Sequence, residues 1–162
     1  MTNNTIISKD VANKRLHITR EFNAPVEKVW TTWTESSLLD KWWAPKPWRA
    51  ETKTMDFREG GLWLYCMVGP DGTRAWCRVD YKTIEPQKKI NNVSKFCDEN
   101  GNIDNNPPGM YWLVNFKITD TGSMIEVEIT FDNEADMEKI IEMGFEAGFT
   151  MGLGNLDELL KS

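Results

Sequence analysis

The segment MIEVEITFDNEADMEKIIEMGFEAGFTMGLGNLDELLK, Met124–Lys161, changes period once along its length. In its first part Ile125, Val127, Ile129 and Phe131 alternate with Glu126, Glu128 and Thr130. That is a strand with one dry face and one wet face. Beyond Phe131 the period becomes helical. Asp132 or Asn133 can cap the helix, and the acidic residues of its first turn suit the helix dipole. Met137, Ile140, Ile141, Phe145, Phe149, Leu156, Leu159 and Leu160 fall on one face, which predicts a single long C-terminal helix. A sheet with one apolar face and a long amphipathic helix can each bury the other. The expected class is therefore α+β, with the helix covering the concave side of the sheet.

Working back toward the N-terminus, the rest of the chain supplies the sheet. MYWLVNFKI (110–118) places Met110, Trp112, Val114, Phe116 and Ile118 on one inward parity. TRAWCRVDYKTI (73–84) puts Ala75, Cys77, Val79 and Tyr81 inside, and Arg74, Trp76, Arg78, Asp80 and Lys82 outside. GLWLYCMV (61–68) is apolar on both parities, so alternation cannot choose its face. KKINNVSKF (88–96) is a weaker strand, in which Ile90 and Phe96 share parity with Asn92 and Ser94. Turned inward, that face adds polar groups to an apolar chamber; turned outward, it is a solvated edge. CDENGNIDNNPPG, residues 97–109, is a polar loop that the sequence leaves open as a lid.

Near the N-terminus, residues 1–13 are polar and aperiodic, and are expected to form a flexible arm. RLHITREF (15–22) reads as a half-buried strand. Two short helices follow. Val26, Val29, Trp30 and Trp33 mark the first, and Thr34 can cap the second, which Pro45 and Pro47 end. KWWAPKPW, Lys41–Trp48, then holds three tryptophans in eight residues. Such large side chains either plug one end of a core or line the mouth of a cavity. The whole is expected to be one domain over residues 14–162.

Composition narrows the function. The 162 residues carry a net charge of −6 with scattered Lys and Arg, which argues against a nucleic-acid surface. No early apolar run resembles a signal peptide, and no stretch approaches a membrane span, so a cytoplasmic protein is expected. Cys66, Cys77 and Cys97 lack CxxC spacing and are read as reduced thiols. His17 is the single histidine, on a solvent parity, so no metal is assigned and no cofactor is expected. Asp56, Arg58 and Glu59 read as a salt-bridged turn before Gly60 and Gly61 rather than as an acid–base pair. Gly144, Gly148 and Gly152 recur every four residues in the helix pattern. They permit either close backbone packing or space for a ligand beneath the helix.

Three motifs together carry a resemblance. ITREFNAPVEKVWTTWTESSLLDKWWAP (18–45), DFREGGLWLYCMVGPDG (56–72) and IEP (84–86), closed by the C-terminal helix, resemble the activator of heat-shock-protein-90 ATPase homologue family. That family sits within the SRPBCC (START / Bet v 1-like) superfamily. The resemblance implies a helix-grip fold: a curved antiparallel sheet of about seven strands around the long C-terminal helix, with two short helices after the first strand. It also implies a cavity between sheet and helix, and it selects Trp63, Tyr65 and Met67 as the inward parity. Val79 stands where many relatives carry a small residue, which implies a reduced cavity.

The superfamily includes lipid and hormone carriers, polyketide cyclases and chaperone-activating domains tied to stress response. Non-enzymatic binding of a small hydrophobic or amphipathic molecule is the leading expectation. The alternatives are a protein-interaction module of the chaperone-activator type, exposing Trp42, Trp43 or Trp76, and a cyclase- or hydrolase-like enzyme. The expected cavity lining is Trp43, Trp63, Tyr65, Cys77, Asn92, Trp112 and Phe145, with Gly148 as its floor. The expected state is a monomer or homodimer.

Overall fold

Strand alternation and the glycine positions account for most of the architecture. The computed structural model describes residues 5–104 and 109–161. The elements run β1 (Ile6–Asp10), β2 (Arg15–Phe22), α1 (Val26–Thr34), α2 (Ser36–Trp42), β3 (Arg49–Met55), β4 (Leu62–Val68), β5 (Arg74–Glu85), β6 (Lys89–Cys97), β7 (Ile103–Asp104), β8 (Met110–Thr119), β9 (Gly122–Thr130), α3 (Glu134–Glu142) and α4 (Phe145–Lys161). The strands form one antiparallel sheet in the order β1-β2-β9-β8-β6-β5-β4-β3, with β7 beside β6. The sheet curves and does not close. Register shifts at Thr52/Thr54 in β3 and Tyr81/Thr83 in β5 add bulges, which bend and twist a strand pair locally.

The core lies on the inner face. Leu16, Ile18, Val114, Ile125, Val127 and Ile129 are fully buried, and Leu16 pairs with Ile129 as Ile18 pairs with Val127. Ile118 is not buried as expected: it is 79% exposed, because β8 runs past the core into the hairpin that turns at Asp120 and Thr121.

Residues 6–10 are not a loose arm. They pair with β2 as an edge strand, Ile7 against Ile18, and Lys9 Nζ reaches Glu138 Oε1 on α3 at 3.1 Å. Thr34 does not cap α2. Glu35 holds that position without a side-chain cap, while the Thr34 hydroxyl donates back to the Trp30 carbonyl at 3.0 Å. Of the 97–109 loop, residues 105–108 lie outside the described residues. Its start is tied to the outer face of the sheet: Lys53 Nζ donates to the Glu99 carbonyl at 2.7 Å, and Arg78 Nη1 to the Gly101 carbonyl at 2.8 Å.

The C-terminal helix is two helices. Asn133 caps α3, its side chain accepting from the Asp136 N–H at 2.8 Å. At Gly144 the backbone turns into the left-handed region, φ +87°. Its N–H donates to the Ile141 carbonyl at 2.9 Å, and its own carbonyl accepts from the Gly148 N–H at 3.0 Å. One residue thus ends α3 and starts α4, a task for which glycine has the least strain. The helical period continues across the break, so the hydrophobic pattern alone reads as one helix.

Two substitutions separate the broken helix from a continuous one. Gly144→Ala is expected to cost about 1–2 kcal/mol, because alanine resists the left-handed region. Gly148→Ala is expected to be neutral or to gain up to about 1 kcal/mol. Urea unfolding of both variants checks this; a stabilised Gly144→Ala would mean an unbroken helix.

Candidate functional site

Three tryptophans of KWWAPKPW have three fates. Trp42, at the end of α2, is fully buried, and its Nε1 donates to the Thr32 carbonyl at 2.8 Å. Trp48 lies against Gly69 at the β4–β5 hairpin, so closely that a Cβ there would sit 3.1 Å from the indole. Trp43 points under the sheet. Its ring meets Trp33, Trp42, Trp63, Tyr65, Trp112 and Phe149, mostly edge to face, with centroids 5.2 to 6.5 Å apart. Its Nε1 donates to the Tyr65 hydroxyl at 2.8 Å.

Beyond Trp43 the structure contains a cavity of about 220 Å³ between sheet and helix. β4 contributes Tyr65 and Met67, β5 Ala75 and Cys77, β6 Ser94 and Phe96, and β8 Met110 and Trp112. Pro45 closes one side, and Ile140, Met143, Gly144, Phe145, Gly148 and Phe149 form the helical wall. The break between α3 and α4 therefore lies at the cavity itself. A second void of about 20 Å³, room for about one water-sized group, lies deeper. It is lined by Trp33, Trp63, Val79 and Asn92, and shares Trp43, Ser94 and Trp112 with the larger space.

Six of the expected lining residues meet around the larger cavity: Trp43, Tyr65, Cys77, Trp112, Phe145 and Gly148. Trp63 and Asn92 lie instead on the deep void. Trp63 is set back because it stacks on Tyr65, with centroids 4.0 Å apart and planes at 19°, while its Nε1 donates to Thr52 Oγ1 at 2.9 Å. The face of β6 carrying Asn92 and Ser94 is inward, one of the two readings that alternation left open. The expected lining left out Pro45, Lys95 and Met143 altogether, and also Met110 and Ile140, although alternation and the helical period place both on apolar faces. The helical period marked Ile140 as apolar; Met143 is the residue that ends α3 just before the break.

The glycine series divides by position. Gly144 makes the break. A Cβ on Gly148 would meet only Pro45 Cγ, at 3.7 Å, so this glycine leaves room at the cavity wall. A Cβ on Gly152 would lie 3.3 Å from the Trp43 carbonyl oxygen and 3.4 Å from that of Trp42. There the helix backbone packs closely on the end of α2, and Asn155 Nδ2 reinforces the contact by donating to the Ala44 carbonyl at 3.2 Å.

Tyr65 and Cys77, which face each other across β4 and β5, are neutral. Burial pushes Tyr65 well above the ordinary phenol range, with the neighbouring Cys77 adding to the rise. Burial likewise pushes the Cys77 thiol up to about 12. The Tyr65 hydroxyl accepts from Trp43, and Cys77 is its partner across the strand pair. Trp112 Nε1 is buried without a hydrogen-bond partner, as is Trp33 Nε1. The other sequence candidates are remote. His17 lies on the outer face beside Glu126, at 3.7 Å. Arg58 Nε donates to Asp56 at 2.8 Å and Glu59 accepts from the Ile84 N–H at 3.0 Å, which makes this a structural turn. No group of acidic, cysteine or histidine side chains among the described residues could hold a metal ion. Trp42 is buried, Trp43 walls the cavity and Trp76 lies under Lys53 Nζ, so these three do not form an exposed apolar patch.

An open antiparallel sheet gripping a C-terminal helix, with a cavity between them, defines a helix-grip protein. Residues 23–161 match the family described as Activator of Hsp90 ATPase homolog 1-like protein, and the chain belongs to that family. Solved structures agree. A protein from Arthrobacter aurescens is 31% identical, with 96% of this chain and 91% of that one covered and a TM-score of 0.91. Protein Ms6760 from Mycobacterium smegmatis is 26% identical, with 96% of each chain covered and a TM-score of 0.89. A Staphylococcus epidermidis protein is 25% identical, with 96% and 93% covered and a TM-score of 0.84. No curated protein matches the chain. No helix among the described residues is long and apolar enough to cross a membrane.

Buried protonated side chains make stability sensitive to alkali. Tyr65, Tyr81 and Cys77 all hold their protons more tightly when folded, chiefly through burial. Their contribution is complete below the unfolded values, about 9 for the thiol and about 10 for the phenols. It is lost as pH rises from there toward the folded values, because the unfolded chain then releases the proton first. Urea unfolding from pH 8 to 11 should show stability falling above pH 9, by up to about 1.4 kcal/mol per pH unit for each group. Tyr81→Phe should flatten the fall above pH 10. A flat profile would mean these side chains reach solvent.

Proposed function

We propose that this protein binds a small hydrophobic or amphipathic molecule, without catalysis, in the cavity between sheet and helices. The observation that carries this is the space itself. About 220 Å³ is held open beside Gly148 and walled by aromatic, methionine and aliphatic side chains. An apolar cavity of about 150 Å³ suffices to take benzene. A largely apolar pocket with a few convergent polar groups is the usual form of a small-molecule site.

Neutral Tyr65 and Cys77 suit binding better than proton transfer, which works best with groups titrating near the operating pH. The aromatic walls offer contact area to a ring, and Met67, Met110 and Met143 adapt to its outline.

Toluene tests the proposal as a minimal apolar ligand. Titration followed by amide NMR should shift signals of β4, β5, β8 and the start of α4 and leave β1 unmoved. Gly148→Leu should fold, fill the space and lower the affinity at least tenfold. Shifts scattered over the surface, or none at saturation, would count against the cavity as a binding site.

A further inference from the structure

Tyr65 is the polar group of the cavity wall whose hydrogen bonding fixes where its proton can go. Tyr65 Oη already accepts a hydrogen bond, from Trp43 Nε1 at 2.8 Å. Its own proton therefore points elsewhere, and its neighbour directly across the strand pair is Cys77. Sulfur is a weak acceptor. An oxygen acceptor brought into the cavity would replace that contact with a stronger one. The same wall holds Trp112, whose indole N–H is buried without a partner, and the Ser94 hydroxyl. Tyr65 is also fixed in direction. Its ring stacks on Trp63 at 4.0 Å, and Trp43 holds its oxygen.

Size and charge limit the ligand further. The cavity exceeds by about half the roughly 150 Å³ that accepts benzene, so it suits one ring with a short substituent. It is too small for a sterol or a long acyl chain at the usual scale of about 300–1,000 Å³ for larger ligands. A carboxylate placed beside Tyr65 and Cys77 would face neutral groups, and burying an unpaired charge is strongly unfavourable. Lys95, the one cationic residue at this wall, has its stem laid against Gly109, where a Cβ would meet Lys95 Cγ at 2.8 Å.

We infer that the cavity selects a compact, uncharged, one-ring molecule bearing an acceptor oxygen, a carbonyl or ether, which receives the Tyr65 hydroxyl proton. This rests on the binding reading above and adds the chemistry of the ligand to it.

Three probes of similar size separate the possibilities: acetophenone, ethylbenzene and benzoate, titrated by NMR against wild type and Tyr65→Phe. Acetophenone and ethylbenzene should both bind wild type, and benzoate at least tenfold more weakly than acetophenone. Tyr65→Phe should weaken acetophenone about five- to tenfold relative to ethylbenzene, the worth of one hydrogen bond. The carbonyl stretch of 13C-labelled acetophenone gives a second readout in the unmodified protein. Bound to wild type, it should lie at the lower frequency of a hydrogen-bonded ketone. If ethylbenzene binds but Tyr65→Phe leaves the ratio unchanged and the carbonyl vibrates as in an alkane, the acceptor assignment is wrong while the cavity reading stands. Benzoate binding as tightly as acetophenone would also overturn the assignment. If neither neutral probe binds wild type, the cavity reading fails and takes this inference with it.

Discussion

Trp43 holds the two halves of the molecule in register. It stands at the end of α2, yet its indole reaches across to β4 and donates to Tyr65 at 2.8 Å. Six other rings surround it. Each such aromatic pair contributes about 0.5–1.5 kcal/mol beyond simple burial, and the single polar atom is satisfied. The carbonyls of Trp42 and Trp43 also receive α4, which comes close enough that only a glycine fits comfortably at position 152. Sheet, short helices and C-terminal helix all meet at this residue.

The cavity follows from the same constraint. Gly152 draws α4 tight against α2 at one point. One turn earlier, Gly148 faces Pro45 across open space, and one turn before that Gly144 breaks the helix. The helical layer is thus pinned where it touches Trp43 and displaced where it leaves it. A larger side chain at 148 would enter this space. Interiors normally exclude such gaps, because lining atoms without partners lose contacts, so a preserved apolar space costs stability.

Much of this was legible in the sequence. Strict alternation in β9 and the apolar period of the C-terminal segment were enough for an α+β domain with a covered concave sheet. The resemblance to the family chose the inward parity of β4, where both faces are apolar. Six of eight expected lining residues meet at one cavity because parity fixes which side chains face inward. Trp63 and Asn92 fell on the deep void instead, since parity cannot tell how far along a strand the space opens. The helix break was hidden because Met137, Ile140, Phe145 and Phe149 keep phase across it. Gly144 read as one of a column when it was the terminus of a helix. β1 was hidden for a different reason: an edge strand with one side of its ladder free needs little apolar pattern to form.

What remains is a largely apolar space of about 220 Å³ between sheet and helices, with Tyr65 and Cys77 protonated in its wall. To hold a small apolar ligand the space has to be dry and persistent. Crystals of the protein pressurised with xenon test it directly, since xenon enters apolar cavities of this size. Xenon density bounded by Trp43, Tyr65, Trp112 and Gly148 is the result expected. A well-ordered crystal with xenon elsewhere, and helix α4 collapsed onto the sheet at Gly148, would contradict it.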